Sequence, residues 1–147
     1  MRKHRRNVAP ARASDNALSP LDQELVKAGR IVCQQCASCH DARGEGAPCW
    51  QRPDSQGEMP APPHDSEGRT RKHSDAMSYR IVMRGWRDPF NNTNRLTMHR
   101  FSSILFPKEA QVVITYLKTL WTPEQRRLQR EASKKAPFPP ERHWRAR

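Results

Sequence analysis

One pentapeptide, Cys36-Ala37-Ser38-Cys39-His40, constrains this chain more than any other part of its sequence. Two cysteines separated by two residues present their thiols at the spacing of the two vinyl groups of a haem. A histidine directly after the second cysteine then falls beneath the iron. The motif therefore predicts covalent, c-type haem attachment, with thioether bonds at Cys36 and Cys39 and His40 as the proximal iron ligand.

The same cysteines also allow a different metal site. Residues 33–39 hold two overlapping C-x-x-C units. An iron–sulfur run of the bacterial type would need a further cysteine where Arg43 stands, so that type of cluster is excluded. A zinc site stays open as an alternative, although structural zinc sites usually pair one C-x-x-C with a second, distant one, which this chain lacks. The ligands of such a zinc site would be Cys33, Cys36, Cys39 or His40, and Cys49.

The composition predicts one domain with a small core. The chain has 147 residues, of which only 35% are hydrophobic and 13 are proline. A bound haem would supply apolar surface that such a polypeptide lacks. We predict a basic, disordered tail over residues 1–18, a helical domain over residues 19–121, and a charged extension over residues 122–147 that begins as a short exposed helix.

The positive charge is concentrated at the two ends. Residues 1–18 carry five basic and one acidic side chain, and residues 122–147 carry eight and three, which together is +9 of the net charge of +12. Such tails are often merely solvated. They also suit docking to an acidic redox partner or peripheral association with an anionic membrane. Nucleic acid is not an expected partner, because no recognition motif accompanies the charge.

The sequence has no recognisable targeting or membrane-spanning segment. No stretch approaches the roughly 20 apolar residues of a membrane span. Residues 1–6 are basic and residues 11–13 resemble a cleavage site, but no apolar region lies between them. Haem attachment to C-x-x-C-H normally takes place outside the bacterial cytoplasmic membrane. We therefore expect a periplasmic protein, or one at the outer face of that membrane, with a different start or an upstream anchor.

Local signals place the helices. A first helix should begin at Ser19-Pro20 and run into the haem motif. A second should cover residues 75–83, with Ser74 as its cap and Gly85 as its end. The strongest apolar pattern predicts a helix from Phe106-Pro107 to Trp121. Long glycine- and proline-rich loops fill the gaps between these helices.

Three landmarks between about residues 25 and 121 resemble class I cytochromes c. They are Gly29 before the haem motif, the sequence Met98-His99-Arg100-Phe101, and the terminal helix over residues 109–121. The resemblance implies an all-α fold of three to four helices and long loops around one covalent haem. It also implies that the first and last helices cross closely at Gly29 and Tyr116, and that Met98 is the distal iron ligand. Residues 60–65 and 122–127 resemble a subgroup of small bacterial cytochromes that are often membrane-anchored.

Two departures from the family pattern leave alternatives open. Cys33 replaces a common aromatic residue, so Cys33 and Cys49 remain for a disulfide or as free thiols. His99 replaces the usual proline and could itself bind the iron. The candidates for the sixth ligand are Met59, His64, His73, Met77, Met83, Met98 and His99, of which Met77 and Met83 better suit helix packing. Candidate walls of the haem pocket are Trp50, Tyr79 and Trp86.

Two classes of function follow from these residues. With both axial positions filled, the protein would be a one-electron carrier or the electron-transfer domain of a respiratory or other redox complex. With an open sixth position, it would be a haem sensor or a catalytic haem protein. The chain contains no catalytic triad, carboxylate pair or phosphate-binding loop that suggests separate enzymatic chemistry.

Overall fold

The computed structural model describes residues 20–140, with side chains from residue 23 onward, and this part of the chain is all-α. The α-helices are α1 (Pro20–Val32), α2 (Ala37–His40), α3 (Asp75–Arg84), α4 (Pro107–Leu117) and α5 (Pro123–Lys135). Between residues 20 and 140 the only β-type pairing is an isolated bridge between Trp86 and Met98. None of the helices in this range is long and apolar enough to span a membrane. The all-α prediction is confirmed, whereas the N-terminal tail and Ser19 lie outside the described residues.

Helices α1 and α4 cross at very close range through Gly29, which is buried. A Cβ atom added to Gly29 would lie 1.9 Å from the carbonyl oxygen of Val112 and 2.8 Å from the Cβ of Tyr116. Only glycine allows the two backbones to approach this closely. The predicted contact between Gly29 and Tyr116 is therefore confirmed, and the tightest contact is made by the backbone of Val112.

The first helix does not run unbroken into the haem motif, as the sequence pattern predicted. It ends at Val32, and a 3₁₀ turn over Cys33–Gln35 follows before α2 begins. The Cys36 amide donates to the carbonyl of Cys33 at 2.9 Å, which is the tighter i→i+3 bond of this turn. The His40 amide then donates to Cys36 at 3.0 Å, so a separate helical turn presents the motif.

Helix α3 has the ends that its sequence predicted. The Ser74 hydroxyl accepts a hydrogen bond from the Met77 amide at 3.1 Å, which satisfies a free donor of the first turn. Gly85 follows the last helical residue with φ +79°, a conformation that favours glycine. The helix thereby ends at Arg84, directly before the Trp86–Met98 bridge.

Apart from Pro63 in the proline-rich loop, the buried apolar side chains of the described part belong to residues 105–121. They are Leu105, Ala110, Val112, Val113, Ile114, Leu117 and Trp121. Helix α4 ends as an α-helix at Leu117, and a 3₁₀ turn over Lys118–Leu120 completes the segment predicted as helix. This one segment is thus the centre of the protein core.

Helix α5 is present as predicted, but it is not simply solvent-exposed. Gln129 and Ser133 are buried on its inner face. The Ser133 hydroxyl accepts from the Asp75 amide at 3.1 Å, and the Gln129 amide group donates to the Asp75 carboxylate at 2.8 Å. Lys118 pairs with the same carboxylate at 2.9 Å. A polar network therefore fastens the extension to the first turn of α3.

Candidate functional site

A cavity of about 920 Å³ opens between the haem motif, the proline-rich loop and helix α4. Its volume lies within the roughly 300–1,000 Å³ common for cofactor sites. Residues from distant parts of the chain form its walls. They include Cys33, Cys36, Cys39, His40, Trp50, Met59, His64, Trp86, Met98, His99, Val113, Ile114 and Leu117.

His40 is buried at the wall of this cavity, with 7% of its surface exposed. Its Nδ1 lies 2.9 Å from the carbonyl oxygen of Pro62. A carbonyl can only accept, so Nδ1 carries the proton and donates it, which leaves the lone pair on Nε2. Burial lowers the pKa of His40 and favours the neutral ring. The side chain is thus oriented and protonated as a histidine that binds a metal through Nε2.

The motif cysteines Cys36 and Cys39 line the same cavity as His40. Cys33 also lines it, and a hydrogen bond between the Cys33 and Cys36 thiols raises the pKa of Cys33 and lowers that of Cys36. All four cysteines are free, and Cys49 is exposed. The structure therefore contains no Cys33–Cys49 disulfide.

The zinc alternative finds no support in the described residues. Between residues 20 and 140, no three or more His, Cys, Asp or Glu side chains come together as a cluster that could hold a metal ion. Cys33, Cys36 and Cys39 share a cavity wall without forming a four-ligand cage. The arrangement instead leaves the thiols and the His40 imidazole at the wall of a large, mainly apolar space.

Met98 lies on the cavity wall in a defined backbone position. The Trp86 amide donates to the Met98 carbonyl at 2.8 Å, and the Met98 amide donates back to Trp86 at 3.2 Å. A Cβ on Gly85 would lie only 2.6 Å from the Met98 carbonyl oxygen, so this contact also depends on glycine. The methionine of the predicted ligand loop is thus fastened to the end of α3.

The other candidates for the sixth ligand separate into two groups. Met59, His64, His73 and His99 also line the cavity, whereas Met77 and Met83 are not among its lining residues. This agrees with helix packing for Met77 and Met83. His99 is exposed, and its ring lies 5.5 Å from that of Phe101.

The cytochrome c family profile matches residues 26–121. The chain belongs to the cytochrome c family. Searches of curated proteins and of solved structures found no significant match. Members of this family are generally electron-transfer proteins that hold haem c covalently, and the residues of this cytochrome fit that group. The fit rests on two thiols and a neutral, oriented imidazole at the wall of one apolar cavity.

His64 of this cytochrome lies beside His40. The two ring centroids are 3.9 Å apart, and Nδ1 of His64 is 2.7 Å from the Thr70 hydroxyl. The Trp121 indole donates to the His64 carbonyl at 2.8 Å. Burial, with smaller contributions from His40 and His73, lowers the pKa of His64 to about 3, so the ring is neutral. His64 is thus packed against the histidine of the C-x-x-C-H motif.

The structure also corrects the list of pocket walls. Trp50 and Trp86 line the cavity of this cytochrome, whereas Tyr79 does not. Sequence reasoning missed the Pro62 carbonyl that orients His40, and it missed Glu58, a buried acid of the loop before it. Neither residue belongs to a periodic pattern, and an acidic residue in a proline-rich loop gives no sign that it is buried.

Proposed function

We propose that this cytochrome carries one haem c and serves as a one-electron carrier, or as the electron-transfer domain of a respiratory or other redox complex. Cys36 and Cys39 form the thioethers, His40 is the proximal ligand, and Met98 is the distal ligand. The observation that carries the proposal is that these four residues line a single apolar cavity. When bound, the haem iron supplies the exchange of one electron between its ferric and ferrous states.

The side chains around the cavity have separable roles in this function. The Pro62 carbonyl holds the His40 ring in one orientation and one tautomer. The thioether of Met98 favours the ferrous state and raises the reduction potential. Val113, Ile114 and Leu117 form an apolar wall that excludes water from the site. The protein therefore binds and insulates a redox group and needs no substrate pocket.

Covalent attachment is the first test. Protein made in a host with export and haem-attachment machinery should keep its haem through denaturing electrophoresis and acid-acetone extraction. Cys36→Ala and Cys39→Ala should each remove one of the two thioethers, which shifts the reduced α-band of the pyridine haemochrome to longer wavelength. Cys33→Ala and Cys49→Ala are matched controls that should leave it unchanged. Stoichiometric zinc in place of haem would contradict the proposal.

We further propose that the basic tails bind an acidic redox partner or an anionic membrane, and that the protein works in the periplasm or at the outer face of the cytoplasmic membrane.

Contacts of residues 136–138 decide where the C-terminal tail can be cut for a test of this proposal. The Ala136 carbonyl accepts from the Ala76 amide at 3.0 Å, and Lys118 lies over the Phe138 ring. Residues up to 140 are therefore kept, because they contact the helical domain.

Deletion of residues 1–18 and 141–147 should weaken binding to anionic vesicles at low salt and leave the haem spectrum unchanged. The deletion removes a net charge of +6, and attraction between exposed charges weakens with screening. Co-sedimentation with vesicles of 30% anionic lipid measures the effect. A variant with both tails scrambled in sequence keeps the charge and should bind like the native chain. Equal binding by the deleted protein would show that the tails are only solvated.

A further inference from the structure

Glu58 is a buried carboxylate, with 5% of its surface exposed, in a loop between the haem motif and α3. Arg95 donates to both of its oxygens, from Nε at 2.5 Å and from Nη2 at 2.6 Å. The Thr93 hydroxyl donates to the same carboxylate at 2.7 Å. Two-point, charge-assisted pairing of this kind is stronger and more directional than a neutral hydrogen bond.

The two loops that Glu58 joins are also paired through their backbones. The Asn92 amide donates to the Gly57 carbonyl at 2.9 Å. The Asn91 side chain accepts from the Met59 amide at 2.6 Å and donates to the Thr97 hydroxyl at 3.3 Å. These bonds fasten the segment over residues 91–97 to the loop over residues 54–59, which is itself tightly turned.

The same segment leads directly to Met98, which follows Arg95 by three residues. Residues 88–98 contain no helix, so their position depends on such bonds and on the attachment of Met98 to Trp86. The guanidinium of Arg87 donates to the carbonyls of Thr93 and Asn91 at 2.6 and 3.0 Å. These two hydrogen bonds restrict the backbone motion of the segment. Loops without regular structure open locally at low free energy unless they are fastened in this way.

We propose that Glu58 is a positioning residue that keeps Met98 at the haem by fastening the 88–98 segment through Arg95 and Thr93. The inference rests on the proposed function in its use of Met98 as distal ligand. The Arg95–Glu58 ion pair holds the 88–98 segment against the loop over residues 54–59. Loss of the pair therefore increases the fraction of time that the segment is open, that is, detached from this loop. An external ligand can take the sixth position only while the segment is open.

Imidazole binding to the ferric protein measures this opening. Glu58→Gln should bind imidazole roughly tenfold more tightly than the native protein, because opening no longer breaks charge-assisted hydrogen bonds. Glu67→Gln is the matched control, since it removes the same charge from an exposed residue of a neighbouring loop, and it should leave the affinity unchanged. Arg95→Gln should resemble Glu58→Gln, and the double variant should show little additional effect. Native affinity in Glu58→Gln would overturn the proposal.

Amide hydrogen exchange across residues 88–98 on the same samples tests the role of Glu58 independently of the proposed function. Exchange there should accelerate in Glu58→Gln and not in Glu67→Gln, whether or not the protein carries haem. A native protein without haem would refute the proposed function, while the exchange result would still decide on Glu58. Unchanged exchange in a folded Glu58→Gln protein would overturn the role of Glu58. If that variant does not fold, Arg95→Gln and Thr93→Val provide the same comparison from the other side of the contact.

Discussion

Met98→Ala should abolish the weak sulfur-to-iron band at the red end of the oxidised spectrum and convert the haem from low spin to high spin. Alanine offers no donor atom, so the sixth position becomes open or takes water. Loss of the thioether also removes the preference for ferrous iron, and the reduction potential should fall by on the order of 100 mV or more. Visible spectroscopy and a redox titration of the same sample measure both effects.

Two methionine variants serve as controls for this experiment. Met59→Ala alters another cavity-lining methionine and Met83→Ala alters one outside the lining, and both should keep the band. The competing ligand is His99, one residue further along. If the native spectrum lacks the sulfur band, and His99→Ala rather than Met98→Ala gives high-spin haem, then the ligand is His99. A native haem that is already high-spin and binds carbon monoxide readily would favour the sensor or catalytic function.

Gly29→Ala should destabilise the protein by about 2 kcal/mol, although alanine is the better helix former. Alanine at this helical position would by itself add about 1 kcal/mol of stability. The new methyl group would lie 1.9 Å from a backbone oxygen of α4, and no change of rotamer can relieve a contact with Cβ. Overpacking typically costs about 1–3 kcal/mol and occasionally more, and a backbone clash belongs to the upper end of that range.

Denaturant unfolding followed by far-UV circular dichroism measures the effect of Gly29→Ala. Arg30→Ala is the matched control, because it places the same side chain at the neighbouring exposed position, where changes are usually within about 0.5 kcal/mol. A gain of stability in Gly29→Ala would mean that α1 and α4 do not cross here. Gly29→Val should be more destabilising than Gly29→Ala.

The elements predicted correctly from the sequence are those with local or repeating signals. Ser74 caps α3 through a neighbour three residues away, and the apolar rows of residues 106–121 require only helical spacing. The resemblance to class I cytochromes c supplied the close crossing at Gly29, which no local rule would have located. The cavity walls at His40 and Met98 followed from the motif and from the same resemblance.

The features that sequence reasoning missed are contacts between loops or between polar side chains. Glu58 meets Arg95 across 37 positions, and no spacing rule connects two loops without regular structure. Helix α5 is predicted as exposed because its sequence is highly charged, yet Gln129 and Ser133 on its inner face are buried against Asp75. For Cys33 and Cys49 the sequence leaves a disulfide and free thiols as alternatives, and the structure has free thiols.

The concentration of the buried apolar residues around α4 has a consequence for how the free energy of unfolding depends on protein concentration. Val113, Ile114 and Leu117 belong both to that core and to the cavity wall, so a haem in the cavity would complete the core. A cofactor held only by non-covalent contacts stabilises by mass action and loses its effect as it is diluted. With the thioethers proposed here, the haem would stay bonded to the chain, and its contribution to the free energy of unfolding would be the same at any protein concentration.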